Sequence, residues 1–283
     1  MMKKWLGFLL IITMVFALAA CGTKDNKSDE NKDKETETDT KTLVVGASNV
    51  PHAEILEQVK PILADQGIDL KIEKFQDYVV PNQALDSKDL DANYFQHIPY
   101  LETQIADNDY DFEIAGEIHI EPIGVYSKKF KDLDKLPKGA LVIISSSVSD
   151  HGRILTILEK EGLIKLKEGV KKVSATVDDI VENKKELVFK TEYAPELLPQ
   201  IFNNNEGDAV LINSNYAIDA GLDPLKDSIA LEKTDSPYVN VVAVRKGDKD
   251  KPEIKALVEA LLSTEIQDWI LEKYNNAVVP VTK

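Results

Sequence analysis

The chain has 283 residues, 43% hydrophobic and 29% charged, enough to bury a sizeable core in one large domain or two modest ones. Acidic side chains outnumber basic ones 49 to 34, a net charge of −15, which argues against a nucleic-acid partner because phosphate recognition needs clustered Lys and Arg. A single cysteine excludes an intrachain disulfide and a thiolate metal site.

Lys3 and Lys4 open the chain and an apolar run over residues 5–20 follows. That run is short for a spanning helix, which needs about 20 residues, and suits the core of a signal peptide covering residues 1–20. It ends in Leu18-Ala19-Ala20-Cys21, small residues before the sole cysteine, which resembles a bacterial lipobox. The resemblance implies cleavage before Cys21, its modification by lipid (palmitate included) and anchoring on the extracytoplasmic face of the cell membrane. Residues 21–41 carry no large apolar side chain after Cys21 and mix acids with lysines, so they read as a solvated tether.

From residue 42 the pattern is β-α-β. Leu43-Val44-Val45-Gly46 suits a buried parallel strand. Ser48 or Asn49 caps a helix with Pro51 in its first turn, Ile55, Leu56, Val59, Ile62 and Leu63 on one face, a kink at Pro61 and a stop at Gly67. Strands are predicted over 70–75 and 90–94, a helix over 98–105, and one or two extended segments over 114–126. A second unit brings strands at 140–144, 187–189 and 209–212, with helices through Ile154, Leu155, Leu158 and Leu163 and over 195–202. A strand over 239–244 precedes helical periodicity from 252 to 274, broken near Ser263-Thr264. Repeated βα units imply an α/β fold with parallel sheets covered on both faces, and two such groups imply two lobes with a ligand cleft between them.

The chain has no G-x-S-x-G, H-E-x-x-H, G-x-x-x-x-G-K-[ST] or G-x-G-x-x-G, so it is not expected to be an enzyme. His52, His97, His119 and His151 are scattered, none at i, i+4 spacing, and no metal site or cofactor is expected from them. Residues 90–102 pack Tyr94, Phe95, Tyr100, His97, Gln96 and Asn93 into a strand-to-helix junction. Composition alone reads that junction as a core strand and an ordinary helix start. Tyr78 is another aromatic before a turn. Arg153 falls in the first turn of a helix after a buried strand, where it serves either a surface salt bridge or a carboxylate. Asn213, Asn215 and Asn240 are amides at strand ends.

Leu90-Asp91-Ala92-Asn93-Tyr94-Phe95-Gln96-His97 with Pro99-Tyr100-Leu101-Glu102 resembles the signature of the methionine-binding lipoproteins of ABC importers, the MetQ/NlpA family. So do Tyr78-Val79-Val80-Pro81-Asn82, Gly152-Arg153, Leu163-Ile164-Lys165-Leu166-Lys167-Glu168-Gly169, Asn213-Ser214-Asn215-Tyr216-Ala217 and Ser236-Pro237-Tyr238-Val239-Asn240. The resemblance implies a two-lobed, periplasmic-binding-protein-like fold of type II-like topology. Residues 42–126 with 238–283 would form lobe 1 and 127–237 lobe 2, hinged near 126–128 and 235–238. It implies amino-acid transport: a solute-binding protein that captures free methionine, L-methionine foremost, and delivers it to a membrane permease driven by an ATPase. Arg153 would hold the ligand carboxylate, Asn213 (or Asn215) and Asn240 its polar groups, and Tyr78, Phe95, His97 and Tyr100 the thioether, with His97 partly buried and oriented by a hydrogen bond. Such a zwitterion calls for one cation and neutral polar partners, and Arg153→Ala would abolish binding with the fold intact. Many relatives carry Asn-Asp-Pro-Thr-Asn where this chain has Ser146-Ser147-Val148-Ser149-Asp150, and Gln-Leu-Pro where it has Leu197-Leu198-Pro199, which leaves the stereochemistry and peptide forms of the ligand open. The alternatives are zinc capture, or binding of another amino acid or a short Met-containing peptide; an exported hydrolase and an adhesin with a vestigial pocket rank behind them.

Overall fold

The computed structural model describes residues 40–281; the signal-peptide, Cys21 and tether expectations lie outside them, except that Lys41 already opens the first strand. In chain order the first half runs β1 (Lys41–Ser48), α1 (Glu54–Ala64), β2 (Ile68–Phe75), α2 (Val80–Asp86), β3 (Ala92–His97), α3 (Ile98–Asn108) and β4 (Phe112–Ile120). The middle runs β5 (Gly124–Tyr126), β6 (Leu141–Ser145), α4 (Val148–Lys160), β7 (Ile164–Leu166), β8 (Ile180–Asn183), β9 (Val188–Tyr193), α5 (Leu198–Asn203), β10 (Ala209–Ile212), α6 (Ser214–Asp219), α7 (Pro224–Asp227) and β11 (Ser228–Leu231). The chain then closes with β12 (Val239–Arg245), α8 (Pro252–Leu261), α9 (Thr264–Tyr274) and β13 (Val279–Pro280).

Two sheets organise these elements. A six-stranded sheet has the order β13-β4-β12-β3-β1-β2, and a five-stranded one β11-β5-β10-β6-β9. The sheets are mixed, which corrects the all-parallel expectation: β12 lies antiparallel between β3 and β4, and β5 lies antiparallel between β10 and β11. These two strands enter a sheet directly from an inter-sheet crossing, without a covering helix to reverse the chain, and the short β13, which follows α9, is also antiparallel to β4.

Each sheet is buried on both faces, and the alternation of its strands shows it. In β12, Val242 and Val244 face the core formed with α1, α8 and α9, while Val241 and Ala243 face the core with α2 and α3. In the second sheet Val142, Ile144 and Leu211 pack toward α4, and Ile143, Val210 and Ile212 toward α5 and α6. Helix α1 passes Pro61 inside its span: the proline lies on the exposed face, so the Glu57 carbonyl that loses its i+4 donor is open to water. The break at Ser263 is as expected, its side chain accepting from the Ile266 N–H to cap α9.

The chain crosses between sheets at residues 121–123 and 232–238. The first crossing therefore precedes the 126–128 expected from sequence, because Ile123 and Val125 belong to the core of the second sheet. The carboxyl ends of β2, β3 and β4 and the start of β12 meet the carboxyl ends of β6 and β10 and the start of β5 at one place.

Candidate functional site

At that meeting point Tyr78, Phe95, Gln96, His97, Tyr100, Glu121, Asp150, Arg153, Asn213, Ser214, Asn215 and Asn240 surround one cavity. All seven ligand-binding candidates of the sequence are among them, as is Asn215. The cavity volume is ≈ 20 Å³, room for about one water molecule rather than an amino acid. Entry of a larger ligand requires the walls to part.

One end of the cavity is aromatic. The rings of Tyr78 and Phe95 lie 6.1 Å apart, Tyr78 and Tyr100 5.9 Å, and Phe95 and Tyr100 6.2 Å. The register between β3 and β12 slips at Phe95, and such a bulge re-aims side chains at a sheet edge or site. Tyr78 also joins the lobes, its hydroxyl donating to Asn215 Oδ1 at 2.7 Å, and Tyr100 donates to the Tyr78 carbonyl at 2.8 Å. Burial pushes the Tyr78 phenol well above its ordinary value, so it stays a donor.

His97 caps α3. Its Nδ1 accepts from the Tyr100 N–H at 3.1 Å, which leaves Nε2–H to donate to Asp150 Oδ1 at 3.0 Å. Asp150 also accepts from Asn213 Nδ2 at 3.1 Å. Burial opposes the Asp150 charge, but the hydrogen bonds from His97 and Asn213 and the nearby Arg153 outweigh it and hold the carboxyl below the usual range.

Arg153 is buried at 4% exposure rather than a surface residue. Its Nε donates to Glu232 Oε2 at 2.9 Å, its Nη2 donates to the same carboxylate and to the Glu121 carbonyl at 2.5 Å, and Nη1 stands 3.5 Å from Asp150. The Tyr238 ring lies 4.6 Å from the guanidinium carbon. Glu232 in turn accepts from Ser236 Oγ and from the Ile123 N–H, so one carboxylate ties both crossings to Arg153. Gly152 makes this placement feasible: a Cβ there would sit 2.0 Å from the Lys172 carbonyl oxygen, so only glycine lets α4 pack this closely.

Beside the cavity, joined to it through Glu121 and Asn240, is a group that sequence reading missed. His52 and His119, scattered in the chain, have ring centroids 5.0 Å apart and converge on Glu121. His119 Nε2 lies 2.8 Å and His52 Nε2 3.2 Å from Glu121 Oε1. Behind them, His119 Nδ1 meets the Tyr94 hydroxyl and His52 Nδ1 meets Ser48 Oγ at 2.6 Å, while His52 Nε2 also faces Asn240 Oδ1 at 3.1 Å. Burial lowers the His52 pKa to about 4 and that of His119 to about 3, so both imidazoles are neutral near pH 7 and donate through Nε2–H. A usable signal was present: in Ile118-His119-Ile120-Glu121, alternation puts His119 and Glu121 on one side of a strand whose other side is apolar. The site thus has the single expected cation but three acids, Glu121, Asp150 and Glu232, against the expectation of neutral partners.

A sequence model of the NlpA lipoprotein family matches residues 43–282. The chain is 47% identical over 285 residues to the methionine-binding lipoprotein MetQ of Bacillus subtilis (strain 168), covering 100% of both chains. It is 56% identical to a crystal structure of a pheromone cOB1 precursor/lipoprotein of the YaeC family from Enterococcus faecalis V583, with TM-score 0.83 over 85% of this chain and 100% of that one. A nutrient binding protein from Burkholderia cenocepacia bound to methionine matches at 43% identity and TM-score 0.80, over 85% of this chain and 100% of that one. With a family match across nearly every described residue and a shared two-lobed fold, the chain belongs to the NlpA lipoprotein family.

Proposed function

We propose that this protein is the substrate-binding lipoprotein of an ABC importer, anchored through Cys21 outside the cytoplasmic membrane. It captures free methionine between its lobes and hands it to a membrane permease driven by an ATPase. Taking sheet membership as the boundary, residues 40–120 with 239–281 form one lobe and 124–231 the other. The observation that carries the reading is one cavity with an aromatic end of Tyr78, Phe95 and Tyr100 and a charged end around Arg153. An aromatic contact favours a thioether by roughly 0.3–1.5 kcal/mol, and the charged end suits a zwitterion. The methionine named for the Bacillus and Burkholderia relatives supports the same ligand. Because the cavity is small, capture proceeds by opening and reclosure about the two crossings.

A second reading, zinc capture, draws on the convergence of His52, His119 and Glu121. A thermal-shift panel separates the two. Protein stripped of ligand by unfolding and refolding is heated with each common amino acid and with zinc. Ligand at about 1,000 times its Kd adds about 4.1 kcal/mol, on the order of 10 °C at this size. Methionine alone is expected to give that shift; a shift with zinc alone, or with no amino acid, overturns the proposal.

A further inference from the structure

We propose that helix α6 is a latch between the lobes, and that Tyr216 and Ile218 set how long ligand is held by stabilising the closed form without touching the ligand. This rests on the reading above, in which ligand enters and leaves by movement of the lobes about the two crossings.

Helix α6 is rooted in the lobe of the five-stranded sheet. It follows β10 directly, and the side chains of Tyr216 and Ala217 are buried in the core with Ile143, Val210, Ile212 and Leu198. Its first turn is also tied to the first crossing. The Ser214 hydroxyl donates to the Pro122 carbonyl, and the Asn215 N–H donates to Glu121. These ties lie at the crossing itself, where a hinge rotation displaces atoms least.

The remainder of α6 reaches the lobe of the six-stranded sheet. The Tyr216 hydroxyl donates to the Gln76 carbonyl at 3.0 Å, just past the end of β2. Ile218, half-buried, packs against the core formed with α1, α8 and α9. In return Tyr78 packs, half-buried, against the core around Tyr216, the two rings 5.0 Å apart. Each lobe thus lends one side chain to the other's core. Parting the lobes exposes both and breaks the bond to Gln76. Burial and one hydrogen bond therefore favour the closed form whatever the cavity holds.

Neither Tyr216 nor Ile218 is among the residues that surround the cavity. Tyr216 instead lines a separate crevice with Gln76, Pro199 and Asp219. A change at either position alters the balance of open and closed forms, and with it the rate at which a closed complex reopens. What the ligand touches stays the same.

The test measures dissociation rates by stopped flow for L-methionine and for L-norleucine, which replaces the sulfur with a methylene. Tyr216→Phe is expected to raise both rates by about fivefold, the fold-change of one net hydrogen bond. Ile218→Ala is expected to raise both by about fivefold or more. Because the latch acts on closure, the factors for the two amino acids are expected to agree within about twofold in each variant. A side chain that only supports the fold lowers the melting temperature and leaves the dissociation rates unchanged, and that result in either folded variant overturns the latch. Factors that disagree beyond that margin indicate direct contact with ligand and overturn it as well. Wild-type protein that binds methionine while the variants release it no faster sinks the latch alone. Wild-type protein that binds neither amino acid overturns the importer reading itself, and the latch with it.

Discussion

Two buried polar groups meet near the end of β3, and they are built on opposite terms. In one, Asn82, Asn93 and Gln96 form a closed knot. Asn82 Nδ2 donates to Gln96 Oε1 at 3.0 Å, Asn93 Nδ2 to Asn82 Oδ1 at 2.9 Å, and Gln96 Nε2 to Asn82 Oδ1 and Asn93 Oδ1 at 2.8 and 2.9 Å. It is neutral and each of its amide oxygens is occupied. In the other, His52, His119, Glu121, Asp150, Arg153 and Asn213 form a charged group in which, among the described residues, Asn213 Oδ1 has no hydrogen-bond partner and no Lys or Arg bridges the Glu121 carboxyl. A buried polar network that closes on itself holds a strand junction in place; one that leaves acceptors open stores a cost that a ligand relieves.

The sharpest way to break this contrast is Arg153→Ala. Methionine binding is expected to be lost, and stability to fall by about 3–5 kcal/mol because Glu232 is left buried and uncompensated. Calorimetry and urea unfolding read the two effects. This corrects the expectation of an intact fold, which treated Arg153 as a group reaching outward rather than one tied to both crossings. The closed knot predicts the converse. Asn82→Ala takes one acceptor each from the Asn93 and Gln96 amides and the donor from Gln96 Oε1, and is expected to cost about 2–3 kcal/mol in urea unfolding, with methionine affinity retained. A loss of that affinity would mean the two groups are one.

Acidification sharpens the comparison without mutation. His52 and His119 have pKa values below 6.5 in the folded state, about 4 and about 3, so the unfolded chain binds protons that the folded one does not. Their contribution is complete above pH 6.5 and is lost as pH falls, toward 4 for His52 and toward 3 for His119, while the raised Glu121 pKa acts in the opposite sense. The melting temperature is expected to drop over that window in wild type, and with the same slope in Asn82→Ala, whose amides do not titrate. The smallest expected effect is Tyr78→Phe. It removes one hydrogen bond between lobes, about 1 kcal/mol, or about fivefold in methionine affinity by titration.

Local sequence determined a good deal of this protein. Apolar runs such as residues 140–144 and 209–212 became central strands because a strand buried on both faces must be apolar throughout. Tyr78, Phe95, His97, Tyr100, Arg153, Asn213 and Asn240 stood out as aromatic or polar side chains near turns and element ends, but it was the family resemblance that made them ligand candidates, and all seven line one cavity. Tertiary structure alone decided what lies between them. His52 and Glu121 are 69 positions apart, and Arg153 and Glu232 79, so no local spacing reveals that one pair meets beside the cavity and the other ties together the two crossings. The direction of β5 and β12, and with it the position of the crossings, was set by which core Ile123 and Val241 could fill. Periodicity reports which face of an element is apolar; the partners of its polar side chains depend on elements that meet only when the two sheets pack.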